Sequence, residues 1–131
     1  MVPLLQKRRR KAILLIDDDP GVRAAVAFAL GECDCDLLEA SSPNSAVRLW
    51  TKNKKEIALI LMDVLLPGLS GPELAREMLE IDPAAPITFI TGVSRPYLSR
   101  FNLPTDRPVL YKPFSVRQLR EAVSSALSPS A

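Results

Sequence analysis

Aspartates that follow apolar stretches are the residues of this sequence best suited to chemistry. Residues 13–20 read ILLIDDDP, so Asp17, Asp18 and Asp19 come directly after an apolar run, and Asp63 follows a second run in LILMDVLLPG. Carboxylates that crowd together repel one another and raise their own pKa values unless a cation joins them. Oxygen ligands suit a hard cation, and Mg²⁺ commonly takes a few carboxylates while it keeps water and accepts phosphate oxygens. The pattern predicts a Mg²⁺ site held by Asp17, Asp18 and Asp63.

A hydroxyl and an ammonium also follow apolar runs, as Thr91 in FITG and Lys112 in LYKPF. A carboxylate beside Mg²⁺ that faces a lysine and a threonine can attack phosphorus as a nucleophile. Phosphoryl transfer mainly requires that groups are positioned and that charge on the phosphoryl oxygens is neutralised. These residues therefore predict chemistry that ends in an acyl phosphate on an aspartate.

The elements that must position these side chains are short apolar strands. Near-continuous apolar runs, unlike alternating ones, indicate strands buried on both faces, as in a parallel sheet covered by helices. The runs comprise residues 12–16, 57–62, 87–90 and 109–111, with a weaker one at Leu37 and Leu38.

Helical patterns occupy the segments between these runs. We expect Asp19 to cap the first helix rather than to bind metal, because Pro20 suits the first helical position, and we expect Ser42 to cap the second. The predicted helices cover residues 20–30, 43–52 and 72–81.

The last third of the chain is less regular. Residues 92–108 contain three prolines, which leave room only for a short helix around residues 97–101. Ser115 and Gln118 form a capping box that opens a final helix. The predicted inner face of that helix holds Val116, Leu119, Val123 and Leu127.

The alternation of strand and helix predicts the α/β class, as a (βα)₅ doubly wound sheet of five parallel strands. Ligands of such sheets bind outside the carboxyl ends of the strands. The polar side chains at the strand ends should therefore converge at one edge, and they are Asp17, Asp18, Asp63, Thr91 and Lys112.

Composition favours one compact domain. The chain has 131 residues, of which 47% are hydrophobic and 24% charged, and its two cysteines, without any histidine, suit neither a disulfide framework nor a zinc site. The net charge of +2 comes from the run KRRRK at residues 7–11, without which acidic residues outnumber basic ones. This run lacks aromatic residues, so a solvated leader is favoured over a nucleic-acid site. We expect a basic tail at residues 1–11, a folded domain at 12–128 and a short tail at 129–131.

No apolar run approaches the length of a membrane span, and the amino terminus lacks the pattern of a secretion signal. We therefore expect a cytoplasmic protein without a membrane segment.

Four motifs stand in order along the chain: ILLIDDD, LILMDVLLPGLSG, ITFITG and YKPF. Together they resemble the receiver domain of two-component response regulators, and the similarity spans residues 12–127. The resemblance implies the flavodoxin-like strand order 2-1-3-4-5. It also implies a signalling module that assists only its own phosphorylation and dephosphorylation, and not an enzyme with a separate substrate.

The resemblance assigns roles to the acidic residues. Asp63 is similar to the phosphoacceptor, and Asp17 and Asp18 are similar to the acidic pair that holds Mg²⁺, with Asp18 as the more direct ligand. The backbone carbonyl of Leu65 is implied as a further metal ligand.

The resemblance also implies a switch. Thr91 is similar to the hydroxyl that moves to the phosphoryl group, and Lys112 to the ammonium that pairs with it. The bond from Lys112 to Pro113 is implied to be cis.

The sequence departs from the family pattern at the switch. Family members often carry an aromatic residue three positions before the lysine, where this chain has Val109, and we place Tyr111 on the other face of the strand. The short fourth helix is expected to expose Tyr97, Leu98 and Phe101.

The residues beside the predicted phosphorylation site, Leu65 and Val93, bear on how long the phosphorylated form should last. Leu65 and Val93 have no polar side-chain atom that could orient an attacking water, so we expect slow self-hydrolysis of the phosphorylated form.

The resemblance implies two kinds of partner: a histidine kinase or phosphotransfer protein that donates the phosphoryl group, and a downstream protein that reads the changed surface. We expect a monomer or weak dimer, as a free-standing receiver or as part of a hybrid histidine kinase. One alternative is a receiver-like module that binds partners without phosphorylation. A hydrolase of the haloacid-dehalogenase type is disfavoured, because such enzymes carry an Asp-x-Asp pair with the nucleophile first.

Overall fold

The computed structural model describes residues 10–104 and 106–127. It contains one sheet of five parallel strands in the order β2-β1-β3-β4-β5. The predicted fold class and strand order are therefore confirmed. Residues 1–9 of the predicted basic tail and the predicted tail at 129–131 lie outside the described residues. The strands are β1 (Lys11–Ile16), β2 (Cys35–Ala40), β3 (Ile57–Asp63), β4 (Ile87–Thr91) and β5 (Val109–Tyr111).

Helices connect the strands, and most of them begin where a capping residue was predicted. The Asp19 carboxylate accepts a hydrogen bond from the N–H of Gly21 (2.8 Å), which confirms its capping role. Ser42 caps the second helix, and Ser115 and Gln118 bond reciprocally before the last. The helices are α1 (Pro20–Ala29), α2 (Pro43–Asn53), α3 (Gly71–Ile81), α4 (Arg95–Leu98, continued by a 3₁₀ turn at Ser99–Phe101) and α5 (Val116–Leu127).

A hydrophobic core lies on each face of the sheet. On one face, side chains such as Leu14, Met62 and Phe89 pack with residues of α2, α3 and α4. On the other face, Ile13 and Leu61 pack with residues of α1 and α5. Because both faces of the inner strands are covered, their sequences are apolar throughout and do not alternate.

Two exposure predictions are wrong. Leu98 is 8% exposed because the single turn of α4 folds it onto the core that contains Phe89, whereas Tyr97 is 55% exposed, as predicted, and Phe101 is half-buried. Val116 is 43% exposed, because the whole first turn of α5 is exposed and the helix meets the sheet only from Leu119 onwards.

The predicted orientation of Tyr111 is also wrong. Val109 and Tyr111 pack against the same core, since residues two apart on a strand share a face. The guanidinium of Arg95, in α4, lies 4.9 Å from the centre of the Tyr111 ring. An aromatic side chain therefore does face α4, two residues closer to Lys112 than the family pattern has it.

Candidate functional site

The predicted acidic residues meet at the carboxyl ends of β1 and β3. Asp17 directly follows β1 and is fully buried, Asp63 ends β3 and is also buried, and Asp18 is exposed. One carboxylate oxygen from each of these three residues lies within 4.8 Å of the other two. The doubly wound fold thus brings a buried pair of carboxylates and an exposed one to a common point.

Asp17 is held by hydrogen bonds on every side. Its Oδ1 accepts from the N–H of Asp19 (2.9 Å), and its Oδ2 accepts from Nζ of Lys112 (3.1 Å). Its own N–H donates to the carbonyl of Ala40 at the end of β2 (3.1 Å). Its carbonyl accepts from Nη1 of Arg23 (2.9 Å). Both oxygens of the Asp17 carboxylate and both of its backbone polar groups thus have a partner within the protein.

The negative charge of Asp63 is only partly compensated by its neighbours. Its Oδ1 accepts from the N–H of Leu65 (3.3 Å), and its Oδ2 lies 3.4 Å from Nζ of Lys112. Burial and the charge of Asp17 raise the pKa of the Asp63 carboxyl from its ordinary 3.8 to about 6, although Lys112 and the Leu65 N–H oppose the shift. The protein groups around Asp63 therefore do not fully compensate its negative charge, and a further cation would stabilise the ionised carboxylate.

Lys112 is the cation that the structure places among these carboxylates. Burial lowers the pKa of its ammonium, but the hydrogen bond to Asp17 and the charge of Asp63 raise it more, so that the pKa lies above its ordinary value. Lys112 is therefore charged at neutral pH. The peptide bond to Pro113 is cis, as predicted.

Thr91 and Leu65 border the acidic cluster. Thr91 ends β4, is fully buried, and accepts a hydrogen bond at Oγ1 from the N–H of Val93 (2.9 Å). The N–H of Lys112 donates to the carbonyl of Thr91 (2.7 Å), which joins the ends of β4 and β5. The side chain of Leu65 is 51% exposed beside Asp63. The five strand-end side chains singled out in the sequence thus all lie at one edge of the sheet.

Sequence reasoning missed Arg23, which contacts this edge, and Glu39, which contacts Arg23. Arg23, in the first turns of α1, bonds the Asp17 carbonyl and lies 3.4 Å from the Glu39 carboxylate of β2, measured from Nε to Oε1. A usable signal was present, because helical side chains tilt toward the amino terminus, and an arginine four residues after the capping residue Asp19 can reach back over the first turn.

The geometry agrees with what comparison with known proteins finds. The family model described as "Response regulator receiver domain" matches residues 13–124. The chain belongs to this family.

Similar receiver proteins include regulators and kinases. CpdR, a response regulator receiver protein of Brucella abortus (strain 2308), is 34% identical over 118 residues, which are 89% of this chain and 97% of CpdR. The sensor kinase CckA of the same strain is 32% identical over 117 residues, which are 88% of this chain but 12% of CckA. The crystal structure of a receiver domain from hybrid histidine kinase CckA has a TM-score of 0.74 and 30% identity, and the match covers 89% of this chain and 99% of that chain.

The receiver family settles the broad class of function. Receiver domains are signalling domains of two-component systems rather than enzymes in the usual sense, and acceptance of a phosphoryl group is their usual role. None of the helices in the described part of the chain combines the length and apolarity that crossing a membrane demands.

Proposed function

We propose that this receiver domain is the phosphoacceptor module of a two-component phosphorelay, and that Asp63 accepts the phosphoryl group. The observation that carries the proposal is the convergence of Asp17, Asp18 and Asp63 within 4.8 Å, with Nζ of Lys112 in contact with the first and third. The donor would be a histidine kinase or a phosphotransfer protein. A downstream protein would read the change.

The oxygen donors of the site fit Mg²⁺. Three carboxylates are too few to enclose Ca²⁺ but suit an ion that keeps water and accepts phosphate oxygens. The oxygens of Asp17 and Asp63 already accept hydrogen bonds, whereas the Asp18 side chain is exposed. Asp18 would therefore be the most direct ligand, and Asp17, Asp63 and the Leu65 carbonyl would complete the set. When bound, Mg²⁺ would neutralise charge on the transferred phosphoryl group.

The residues of the chain have distinct tasks in this transfer. An oxygen of Asp63 would attack phosphorus, the phosphorus–nitrogen bond to the donor histidine would break, and the imidazole nitrogen would keep the electron pair and take up a proton. The Leu65 N–H holds one carboxylate oxygen of Asp63 and so orients the nucleophile. The Lys112 ammonium, now at Asp63, would pair with a phosphoryl oxygen, and Thr91 would supply a hydroxyl donor.

The test is incubation with Mg²⁺ and a small acyl phosphate or phosphoramidate as donor. We expect one phosphoryl group per chain, lost in Asp63→Ala and kept in Asp106→Ala, which removes an exposed aspartate near the start of β5. No label on the unaltered chain would support the module that binds partners without phosphorylation. Continuous consumption of the donor, beyond the slow turnover set by self-hydrolysis, would support a hydrolase.

A further inference from the structure

Arg23 connects three elements at the acidic site without belonging to the acidic cluster. It lies in α1, its Nη1 donates to the carbonyl of Asp17 at the end of β1 (2.9 Å), and its Nε lies 3.4 Å from Oε1 of Glu39 in β2. Its side chain is largely buried. The planar guanidinium thus binds a backbone carbonyl through Nη1 and lies beside a carboxylate through Nε.

The carbonyl that Arg23 binds belongs to the segment that carries the acidic pair. Asp17 is tied to β2 through its N–H and to Asp19 through its Oδ1. Asp18 stands between these two residues with its side chain exposed. The direction in which Asp18 points therefore depends on how firmly the backbone of residues 17–19 is held, and Arg23 supplies the bond on its carbonyl side.

We propose that Arg23 is a positioning residue for the metal site, and that Glu39 holds its guanidinium in place. The inference rests on the proposed function, because it concerns affinity for Mg²⁺ at the same carboxylates. The side chain of Arg23 contacts the Asp17 carbonyl and the Glu39 carboxylate, and not the carboxylates of the acidic cluster. It acts through the backbone of Asp17.

Electrostatics and positioning predict effects of opposite sign when Arg23 is removed. A positive charge close to an anionic pocket repels Mg²⁺, so its loss alone would tighten binding. Loss of a residue that orients the ligands of a metal weakens binding, commonly by about ten- to a hundredfold. We expect the second effect to dominate here, because the 2.9 Å distance from Nη1 to the Asp17 carbonyl is that of a well-formed hydrogen bond and the Arg23 side chain is only 23% exposed.

The experiment is a calorimetric titration of Mg²⁺ into the unaltered chain and into Arg23→Met. Methionine keeps much of the length of the side chain but has neither charge nor donor. We expect the Kd for Mg²⁺ to rise about tenfold.

Arg117→Met is the matched control, since Arg117 is 88% exposed on α5, pairs with Glu121, and carries the same charge. Its Kd should stay within about twofold of the unaltered value. An unchanged or lower Kd for Arg23→Met would overturn the proposal.

Further variants keep the test decisive if Arg23→Met folds poorly. Arg23→Lys retains the positive charge but lacks the planar guanidinium. If Arg23 positions the site, this variant should bind Mg²⁺ more weakly. If only the charge of Arg23 matters, its affinity for Mg²⁺ should be unchanged. Glu39→Gln should weaken binding less than Arg23→Met, because the bond to Asp17 remains. Hydrogen exchange at the Asp19 N–H, which bonds Asp17, should be faster in Arg23→Met than in Arg117→Met. Equal exchange in the two variants would count against the proposal.

The same measurements separate this inference from the proposed function. If the unaltered chain binds no Mg²⁺, both fail. If it binds Mg²⁺ and is phosphorylated, but Arg23→Met and Arg23→Lys bind Mg²⁺ equally well, only the role of Arg23 fails. At saturating Mg²⁺ the phosphorylation rate of Arg23→Met should return to that of the unaltered chain, because the defect lies in holding the ion and not in the transfer.

Discussion

Lys112 partly offsets the electrostatic repulsion between Asp17 and Asp63. One ammonium lies 3.1 Å from the first carboxylate and 3.4 Å from the second. The positive charge of Lys112 does not return the pKa of Asp63 to its ordinary value of 3.8. The pKa remains raised, to about 6. At the scale of single residues the site is therefore built with an excess of negative charge, and a divalent ion would relieve it.

The raised pKa of Asp63 predicts a pH-dependent gain in stability for Asp63→Asn in the absence of Mg²⁺. Well below the ordinary pKa of 3.8 the carboxyl is protonated in both the folded and the unfolded chain, so the substitution should change little. Between pH 3.8 and about 6 the unfolded chain loses this proton while the folded chain keeps it, so the stability of the unaltered chain falls over this window and stays lower above it. The amide avoids that loss. We expect Asp63→Asn to be more stable by on the order of 1 kcal/mol at pH 7.5, after allowance for solvent screening.

Urea denaturation with a chelator, at about pH 3 and at pH 7.5, measures this difference. Asp106→Asn, at an exposed carboxylate, is the control and should show no such change between the two pH values. A stability difference for Asp63→Asn that is equal at both pH values would contradict the argument.

Self-hydrolysis of the phosphorylated form should be slow. Leu65 and Val93 stand beside Asp63 and Thr91, where their N–H groups bond those side chains, and neither has a polar atom to orient water. We expect the label on Asp63 to persist well beyond minutes after removal of the donor. Val93→Gln should shorten its lifetime, whereas Val47→Gln, on the exposed side of α2, should not. Loss of label within minutes from the unaltered chain would refute the prediction.

At the scale of elements, Gly71 lets α3 begin directly against the end of β3. Its N–H donates to the carbonyl of Val64 (2.9 Å), and a Cβ at this position would collide with the backbone carbonyl of Asp63. The approach of helix to strand leaves no space for a side chain. The position of Asp63 and the start of α3 are therefore coupled through backbone contact.

Gly71→Ala should destabilise the fold, because backbone atoms cannot yield as the end of a flexible side chain can. We expect a loss of at least about 2 kcal/mol in the free energy of unfolding. Gly92→Ala is the matched control, since a Cβ at Gly92 would meet nothing within 4 Å, and it should stay within about 0.5 kcal/mol of the unaltered chain. Urea denaturation of the two variants checks this, and equal stabilities would show that the contact at Gly71 relaxes freely.

At the scale of the whole molecule, the site joins strands that are held by two separate cores. β1 and β3 contribute side chains to both cores, and Asp17 and Asp63 lie at their ends. An ion that binds both carboxylates binds only the folded chain, since residues 17 and 63 are far apart in the unfolded one. Mg²⁺ should therefore stabilise the entire fold rather than one loop.

Thermal unfolding measures this linkage. At a Mg²⁺ concentration of a hundred times Kd the gain should be about 2.7 kcal/mol. Asp18→Asn should lose most of that gain, and because Asp18 is exposed the substitution should leave the Mg²⁺-free stability nearly unchanged. Potassium chloride at the same ionic strength is the control for screening. Equal stabilisation of the unaltered chain and Asp18→Asn by Mg²⁺ would argue against a site at these carboxylates.

Much of this molecule could be predicted from its sequence, because the relevant signals are local. Continuous apolar runs mark strands covered on both faces, and Asp19 and Ser42 cap helices through bonds to N–H groups two or three residues away. Strand ends then follow from the runs, so Asp63 and Lys112 could be assigned to one edge of the sheet once a parallel fold was inferred.

Only the tertiary structure decided which atoms meet at that edge. The contacts of Lys112 with Asp17 and Asp63 span 95 and 49 residues, and the bridge from Arg23 to Glu39 crosses from α1 to β2. The burial of Leu98 depended likewise on which core lay beside a one-turn helix. Local periodicity follows from the geometry of a single chain segment, whereas these distances depend on how separate segments pack against one another.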